Sequence, residues 1–235
     1  MAEPAAQLVR LPRSPPLQAT SDRVNPTYVV TTGAVAAGAT TLATTIAERW
    51  DAATLLEGQI EVNNPFFADA QADPARWMFH SQTDFLAASA KRHEELRRLR
   101  ASTSAAVVLE DRTPFEHHGV YTTSARTMGY LSEREFAVLA DVAASFERDY
   151  VTPDLLVYRE MTVDQLRDRV HVRGRAGESD DFDRLSHILD AFEQFAADWT
   201  RSPIVRVAAD VDLMTPDGRA TLFNQLEEHL PPVAE

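Results

Sequence analysis

A glycine-containing segment near the start of the chain has the residue types of a phosphate-binding loop. Residues Gly33 to Thr41 read Gly-Ala-Val-Ala-Ala-Gly-Ala-Thr-Thr, after a β-branched run and before a segment typical of a helix. Both glycines and the Thr40 hydroxyl, a Mg²⁺ ligand in this motif, fit the pattern G-x-x-x-x-G-K-[ST]. Such a loop presents main-chain N–H groups to a phosphate at a helix N-terminus. Gly33, Gly38, Thr40 and Thr41 are therefore candidate phosphate-binding residues, and an ordinary glycine-rich turn is the alternative.

The lysine of this pattern is replaced by Ala39. That lysine reaches the β- and γ-phosphates, and a charge-assisted hydrogen bond of this kind contributes about 1.5–3 kcal/mol. Lys91 is the only lysine in the chain and lies in a charged helical pattern, so an arginine would have to take over the role. An engineered substitution at Ala39 is a further alternative, because lysine there would complete the loop.

A charged segment follows the third β-branched run. It reads Glu110-Asp111-Arg112-Thr113 and would stand at the carboxyl edge of the sheet, where ligands bind in open α/β folds. A carboxylate there can hold Mg²⁺, and an arginine can pair with phosphate. Asp111 and Arg112 are therefore candidate catalytic residues, with a solvated loop as the alternative.

Three arginines lie near a glycine farther along the chain, namely Arg169, Arg173 and Arg175. The segment from Arg173 to Asp180 is polar and predicts a mobile loop between two helices. Guanidinium groups at a helix end and in such a loop are typical of a lid that closes over polyphosphate and withdraws water. A solvated helix end, favoured by the macrodipole, is the alternative.

Composition limits the partners of these sites. The 235 residues carry 23 basic and 36 acidic side chains, a net charge of −13, which argues against non-specific binding to nucleic-acid polymers or anionic membranes. With no cysteine, disulfides and thiolate metal sites are excluded. No apolar run is long enough to span a bilayer, and residues 1–26 lack a signal-peptide core. We expect a cytoplasmic protein with a disordered leader at 1–26 and one domain at 27–235.

The elements that must position these residues alternate between strand and helix patterns, which predicts a doubly wound α/β fold with a five-stranded parallel sheet. Helical periodicity runs over residues 65–100. Two capping boxes mark helix starts, at Ser132 with Glu135 and at Thr162 with Gln165, and these helices are expected to reach about Tyr150 and Val172. The predicted strands are Tyr28–Thr32, Ala53–Glu57, Ala105–Leu109, Leu155–Arg159 and Pro203–Ala208.

Over roughly residues 27–212 the sequence resembles the deoxynucleoside kinases. The loop, the Glu-Asp-Arg-Thr segment and the Arg-Gly-Arg lid occur in that family's order and spacing. Further matches are Asn64-Pro65-Phe66, the stretches 73–77 and 79–83, and Pro153–Tyr158 as the fourth strand. The resemblance implies a P-loop kinase-like fold with an Arg-rich lid, ATP and Mg²⁺ as cofactors, and a nucleoside or related small molecule as substrate. It also favours a homodimer.

The resemblance implies a role for each matching residue. Glu57 would be the general base that takes the proton of the sugar 5′-hydroxyl, and Gln82 would hydrogen-bond the base edge. Asp111 would assist Mg²⁺, and Arg112 would orient Glu57 and phosphate. Phosphate would be clamped by Arg169, Arg173 and Arg175, and the substrate side would include Phe79, His117 and Glu178.

Four residues depart from the family's pattern. Besides Ala39, Gln71 stands where a tyrosine usually meets the sugar, and His117 where an aspartate helps to read the base. Ser89 stands where some members have an arginine. Adjacent His117 and His118 seldom face one metal ion, and Trp77, Phe79 and Phe85 are typical of core packing.

Two functions follow. The first is ATP-dependent phosphoryl transfer to the 5′-hydroxyl of a nucleoside by a divergent deoxynucleoside kinase with a degenerate phosphate loop. The retained Glu57, Asp111, Arg112 and lid arginines favour it. The alternative is a catalytically silent, kinase-like protein that binds a nucleotide or a protein partner, and Ala39 with the altered substrate positions favours that.

Overall fold

Five parallel strands form the centre of the protein. The computed structural model describes residues 25–56, 63–173 and 181–233. In this part of the chain the sheet order is β2-β3-β1-β4-β5, and every pair is parallel. The doubly wound α/β prediction is confirmed. The strands are β1 (Thr27–Gly33), β2 (Ala53–Leu55), β3 (Val107–Asp111), β4 (Leu155–Arg159) and β5 (Ile204–Val207).

Helices cover both faces of the sheet. The α-helices are α1 (Ala39–Trp50), α2 (Phe67–Ala72), α3 (Pro74–Ser102), α4 (Thr123–Thr127), α5 (Glu133–Glu147), α6 (Val163–Arg173), α7 (Phe182–Asp198) and α8 (Pro216–Leu226). A π-helix at His117–Thr122 precedes α4.

Successive side chains of the central strands point to opposite faces of the sheet, as the pleat of a strand requires, and both sets are buried. Val29 and Val157 pack with α1 and α8, whereas Tyr28 and Leu156 pack on the other face with α3. Because β1 and its neighbours are buried on both sides, their carboxyl ends form one rigid edge. The phosphate loop and the Glu-Asp-Arg-Thr segment both leave from that edge.

The largest strand error is in β3, which the sequence placed at Ala105–Leu109 and which begins and ends two residues later, at Val107 and Asp111. Charged Glu110 and Asp111 complete the strand because both are buried and partnered there. The predicted β2 extends to Glu57, whereas the observed strand ends at Leu55 and residue 57 lies outside the described residues. The other strands agree to within one residue at each end.

The helix predicted over 65–100 is two helices, since Pro74 starts α3 and separates it from α2. Both capping boxes are confirmed: Ser132 and Glu135 exchange hydrogen bonds, as do Thr162 and Gln165. The helix from Ser132 ends at Glu147, three residues before the expected Tyr150.

The lid and the leader are largely outside the described part. Arg173 is the last residue of α6 rather than the first of a loop, and residues 174–180 are not described. The predicted leader falls almost wholly on residues 1–24, which also lie outside the described residues. Among the described helices, none has the length and apolar character needed to cross a membrane.

Candidate active site

The phosphate-loop candidate has a backbone that depends on its glycines. Gly38 has φ +89°, in the left-handed region that favours glycine, and α1 begins at the next residue. A Cβ on Gly33 would stand 3.0 Å from the carbonyl oxygen of Arg159, so glycine allows β1 and β4 to approach closely at this point. The main-chain N–H of Ala37 closes the turn onto the carbonyl of Ala34 at 2.9 Å. The segment is therefore a compact loop opening onto the N-terminus of α1, where Thr40 and Thr41 lie in the first turn.

The Thr40 hydroxyl donates to Oδ2 of Asp111 across 2.6 Å. This contact joins the first turn of α1 to the carboxyl end of β3, and Asp111 is fully buried there. A threonine hydroxyl and a carboxylate are hard oxygen donors, and Mg²⁺ is usually held by one or two such groups together with phosphate and water. The donor set of Thr40 and Asp111 fits Mg²⁺.

Arg112 braces the loop from the β3 side. Its φ of +71° turns the chain sharply after Asp111, and its Nη1 donates to the carbonyl of Gly33 at 3.2 Å. The same nitrogen donates to Glu116 Oε1 at 2.9 Å and to the Tyr121 hydroxyl at 2.8 Å. The arrangement places a guanidinium directly beside the start of the phosphate loop. Its predicted contact with Glu57 falls outside the described residues.

Arg169 reaches the other side of the loop. Its Nη1 donates to the carbonyl of Ala37 at 2.9 Å and lies 3.4 Å from where a Cβ on Gly38 would stand. A positive charge therefore lies against the segment in which Ala39 replaces the usual lysine. Of the other predicted lid residues, Arg175 and Glu178 lie outside the described residues, and nothing is described of the Arg173 side chain.

Sequence reasoning missed Arg159, at the end of β4. It is 3 % exposed, and its Nη1 and Nη2 donate to the carbonyls of Ala208 and Val211, each at 2.7 Å. Burial lowers the pKa of this guanidinium, and the nearby Arg169 charge lowers it further. Arg159 thus ties the loop after β5 to the phosphate-loop edge. The available signal was an arginine closing an otherwise apolar strand pattern.

Gln82 and His117 lie close together on the predicted nucleoside side. Both are buried, and the Thr122 hydroxyl donates to Gln82 Oε1 at 3.1 Å and to the His117 carbonyl at 3.0 Å. The His117 ring stacks on Phe85 with centroids 5.7 Å apart. Burial, with help from the charges of Arg112 and Arg92, lowers the His117 pKa to about 3, so the imidazole is neutral at physiological pH. Its Nδ1 is buried and has no hydrogen-bond partner among the residues that the structure describes.

Phe79 and His118, which lie in the same region, pack against neighbouring apolar and aromatic side chains. Phe79 is half-buried against the cluster that includes Met78 and Leu86, so its predicted substrate contact stays a prediction. His118 packs on Phe136 with ring centroids 5.5 Å apart, whereas its neighbour His117 packs on Phe85.

A second missed arginine, Arg92 of α3, donates to the ends of two strands. Its guanidinium reaches the carbonyls of Leu55, Leu56 and Asp111 and the carboxylate of Glu110, at 2.6–3.0 Å. Nothing in the sequence indicated this role, because an arginine within a highly charged helix is typical of a solvent-exposed face.

Comparisons with known proteins identify the family and the fold. The family model described as "Deoxynucleoside kinase" matches residues 29–231. The chain is 23% identical over 183 residues to a deoxyadenosine kinase of Dictyostelium discoideum, covering 77% of this chain and 71% of that protein. It is 29% identical over 153 residues to a deoxyadenosine/deoxycytidine kinase of Bacillus subtilis (strain 168), covering 63% of this chain and 65% of that protein.

Solved structures of deoxyadenosine kinase from M. mycoides share the fold. One, with the products dCMP and dCDP bound, has a TM-score of 0.71 at 17% identity and covers 86% of this chain and 99% of that chain. Another, with bound dATP, has a TM-score of 0.71 at 18% identity and covers 85% and 99%.

Proposed function

The chain belongs to the deoxynucleoside kinase family, and from this premise we propose that it transfers the γ-phosphoryl group of ATP to the 5′-hydroxyl of a deoxynucleoside. The observation that carries the proposal is the 2.6 Å contact between Thr40 and Asp111 at the mouth of the Gly33–Thr41 loop. It unites an oxygen pair suited to Mg²⁺ with a loop suited to phosphate.

In the proposed reaction the 5′-oxygen forms a bond to the γ-phosphorus. The bond from that phosphorus to the oxygen bridging it to the β-phosphorus breaks, and ADP leaves. The hydroxyl proton passes to the carboxylate of Glu57, as the family resemblance implies. Thr40 and Asp111 would hold Mg²⁺, which supplies charge neutralisation on the phosphates when bound.

Arginine supplies the cation that Ala39 lacks. Arg169 already donates to the Ala37 carbonyl inside the loop, and Arg112 donates to the Gly33 carbonyl on the opposite side. Phosphoryl transfer depends on positioning and on cations rather than on covalent catalysis, so guanidinium groups can meet this requirement. Arg173 and Arg175 would complete the clamp.

The substrate class is a deoxynucleoside with an adenine or cytosine base. Both bases present an amino donor beside a ring-nitrogen acceptor, which complements a side-chain amide such as that of Gln82. The names of the two curated relatives support the same pair of bases. Glu178 and Phe79 would contribute on the substrate side, and neutral His117 would offer one further hydrogen-bonding group. Homodimerisation through helices beside the sheet also stays a prediction.

The second candidate function is a silent relative that binds nucleotide without transferring phosphate. Ala39 is the observation in its favour, because it removes the residue that contacts the β- and γ-phosphates in the complete motif.

A phosphoryl-transfer assay distinguishes the active kinase from the silent relative. It uses labelled ATP, Mg²⁺ and a panel of deoxynucleosides and ribonucleosides. We expect transfer by the unmodified protein, loss of it in Glu57→Gln, and retention of it in the matched control Glu48→Gln, an exposed residue of α1. Transfer only after Ala39→Lys would favour a silenced or deliberately altered enzyme. No transfer by either form, with no ATP binding by calorimetry, would rule the kinase out.

A further inference from the structure

The guanidinium of Arg92 bridges the carboxyl ends of β2 and β3. Its Nη1 and Nη2 donate to the carbonyls of Leu56 and Leu55 at 2.9 and 2.6 Å, and Nη2 also donates to the carbonyl of Asp111 at 3.0 Å. Its Nε donates to Glu110 Oε1 at 3.0 Å. The Arg92 side chain is 12 % exposed, so its bonds to Leu55, Asp111 and Glu110 are partly shielded from competing water, whereas the bond to Leu56 lies at the surface.

The bridge begins where the sheet ladder ends. Strand β2 is a three-residue edge strand, and its pairing with β3 stops at Leu55 opposite Glu110. From that point onward, the main-chain carbonyls of Leu55, Leu56 and Asp111 accept hydrogen bonds from one planar side chain on α3. A guanidinium carries five N–H donors in a fixed fork, which a lysine ammonium on its flexible stem cannot reproduce.

The bridged atoms adjoin the candidate catalytic groups. Arg92 binds the main chain of Asp111, while the side chain of that residue accepts from Thr40. Leu56 immediately precedes Glu57 in sequence. We infer that Arg92 is a positioning residue, which fixes the end of β2 relative to the Asp111 backbone and so sets the geometry of the reacting edge. Its effect on rate rests on the proposed function, whereas its effect on backbone order does not.

Arg92 also forms an ion pair with Glu110. The experiments must therefore separate the effect of losing this ion pair from the effect of losing the hydrogen bonds to the main-chain carbonyls. Glu110 is 1 % exposed and accepts from Arg92 and from the Tyr28 hydroxyl. Removing only the arginine would leave the buried Glu110 without its cation, which is destabilising whether the carboxyl stays charged or takes up a proton. Arg92→Lys keeps a positive charge near Glu110, and the double variant R92M/E110Q removes both charges together. Both variants break the planar bridge.

Hydrogen exchange on the full-length protein tests the backbone step without requiring activity. In Arg92→Lys and in R92M/E110Q we expect exchange to become faster, by about tenfold, in peptides that contain Leu55 or Asp111, because local opening there loses three hydrogen bonds. Peptides from α8 should be unchanged. The matched control is Arg98→Lys, an exposed position on the same helix. Unchanged exchange in both variants, with melting temperatures near that of the unmodified protein, would overturn the inference.

Kinetics test the consequence for the reaction. We expect kcat to fall about 10- to 100-fold in both variants with KM for the deoxynucleoside within about threefold, because displaced groups slow chemistry more than binding. Unchanged kcat, or a loss that follows the fraction unfolded, would contradict positioning. Transfer absent from the unmodified protein would defeat the proposed function, and exchange would still decide the role of Arg92.

Discussion

The hydroxyl of Thr40 and the carboxylate of Asp111 meet across 2.6 Å, although the two residues are 71 positions apart in sequence. The parallel sheet brings them together, because β1 and β3 are neighbours and end at the same edge. Thr40 belongs to the phosphate loop and lies in the first turn of α1, and Asp111 is the last residue of β3. Retention of this pair in a chain that lacks the loop lysine favours a working Mg²⁺–phosphate site.

Asp111→Asn removes one negative charge and preserves the shape of the side chain. We expect kcat/KM to fall about 100- to 1000-fold, because a group that organises charge in the transition state is lost. The Mg²⁺ concentration at half-maximal rate should rise as well. Steady-state rates measured across a Mg²⁺ titration check this, with the exposed Asp141→Asn as control. An unaltered Mg²⁺ dependence would remove Asp111 from the metal site.

Arg169→Ala tests which residue supplies the missing loop cation. Because Arg169 donates to the Ala37 carbonyl, its removal should lower kcat/KM about 100-fold, the scale of one charge-stabilising group. In the A39K background the same change should cost less than about tenfold, since the two cations would act at one site. Rates of the four proteins form a double-mutant cycle, and Arg167→Ala is the neighbouring exposed control. Equal losses in both backgrounds would show that Arg169 does not substitute for the lysine.

Gln82→Leu retains much of the side-chain volume and removes the amide. We expect kcat/KM for deoxyadenosine or deoxycytidine to fall about 10- to 100-fold, because the buried base edge loses its hydrogen-bond partners. KM for ATP should not change. Initial rates with each substrate varied check this, and Gln194→Leu on α7 is the exposed control. Equal effects on both substrates would indicate a packing defect.

The sequence correctly predicted those elements that depend on residues close together in the chain. The phosphate loop and the capping boxes at Ser132 and Thr162 depend on residues close together in the chain, and each is where the sequence placed it. The end of β3 was misplaced because Glu110 and Asp111 have low strand propensity. Their burial is stabilised by Arg92, Tyr28 and Thr40, which are far away in sequence.

The same limit applies to the candidate site. Asp111 and Thr40 could be predicted because each belongs to a motif at a strand end, and the structure brings them together. Arg92 and Arg159 could not, since each acts by donating to carbonyls of loops and strand ends that only the tertiary fold brings near. Main-chain carbonyls carry no residue-type signal, so such contacts leave no motif.

The buried histidine His117 predicts a dependence of stability on pH. Burial lowers its pKa from the ordinary 6.5 to about 3 in the folded protein. Between these values the unfolded chain binds one more proton than the folded chain, so the free energy of unfolding must fall as the pH is lowered. His93, with a pKa lowered to about 4, acts in the same direction. Glu110, with a pKa raised to about 7, acts in the opposite direction between pH 4.5 and 7.

His117→Gln isolates the contribution of this one residue, because His93 and Glu110 remain in both proteins. From pH 7 to pH 5 the unmodified protein should lose about 2 kcal/mol more of its unfolding free energy than the variant does, the linkage expected for one proton over that window. Urea unfolding at several pH values in this range measures it. The exposed and non-titratable Gln194→Leu serves as control and should follow the unmodified protein. Parallel pH profiles for His117→Gln and the unmodified protein would mean that His117 becomes protonated in the folded state, and the neutral imidazole assigned to the substrate side would be wrong.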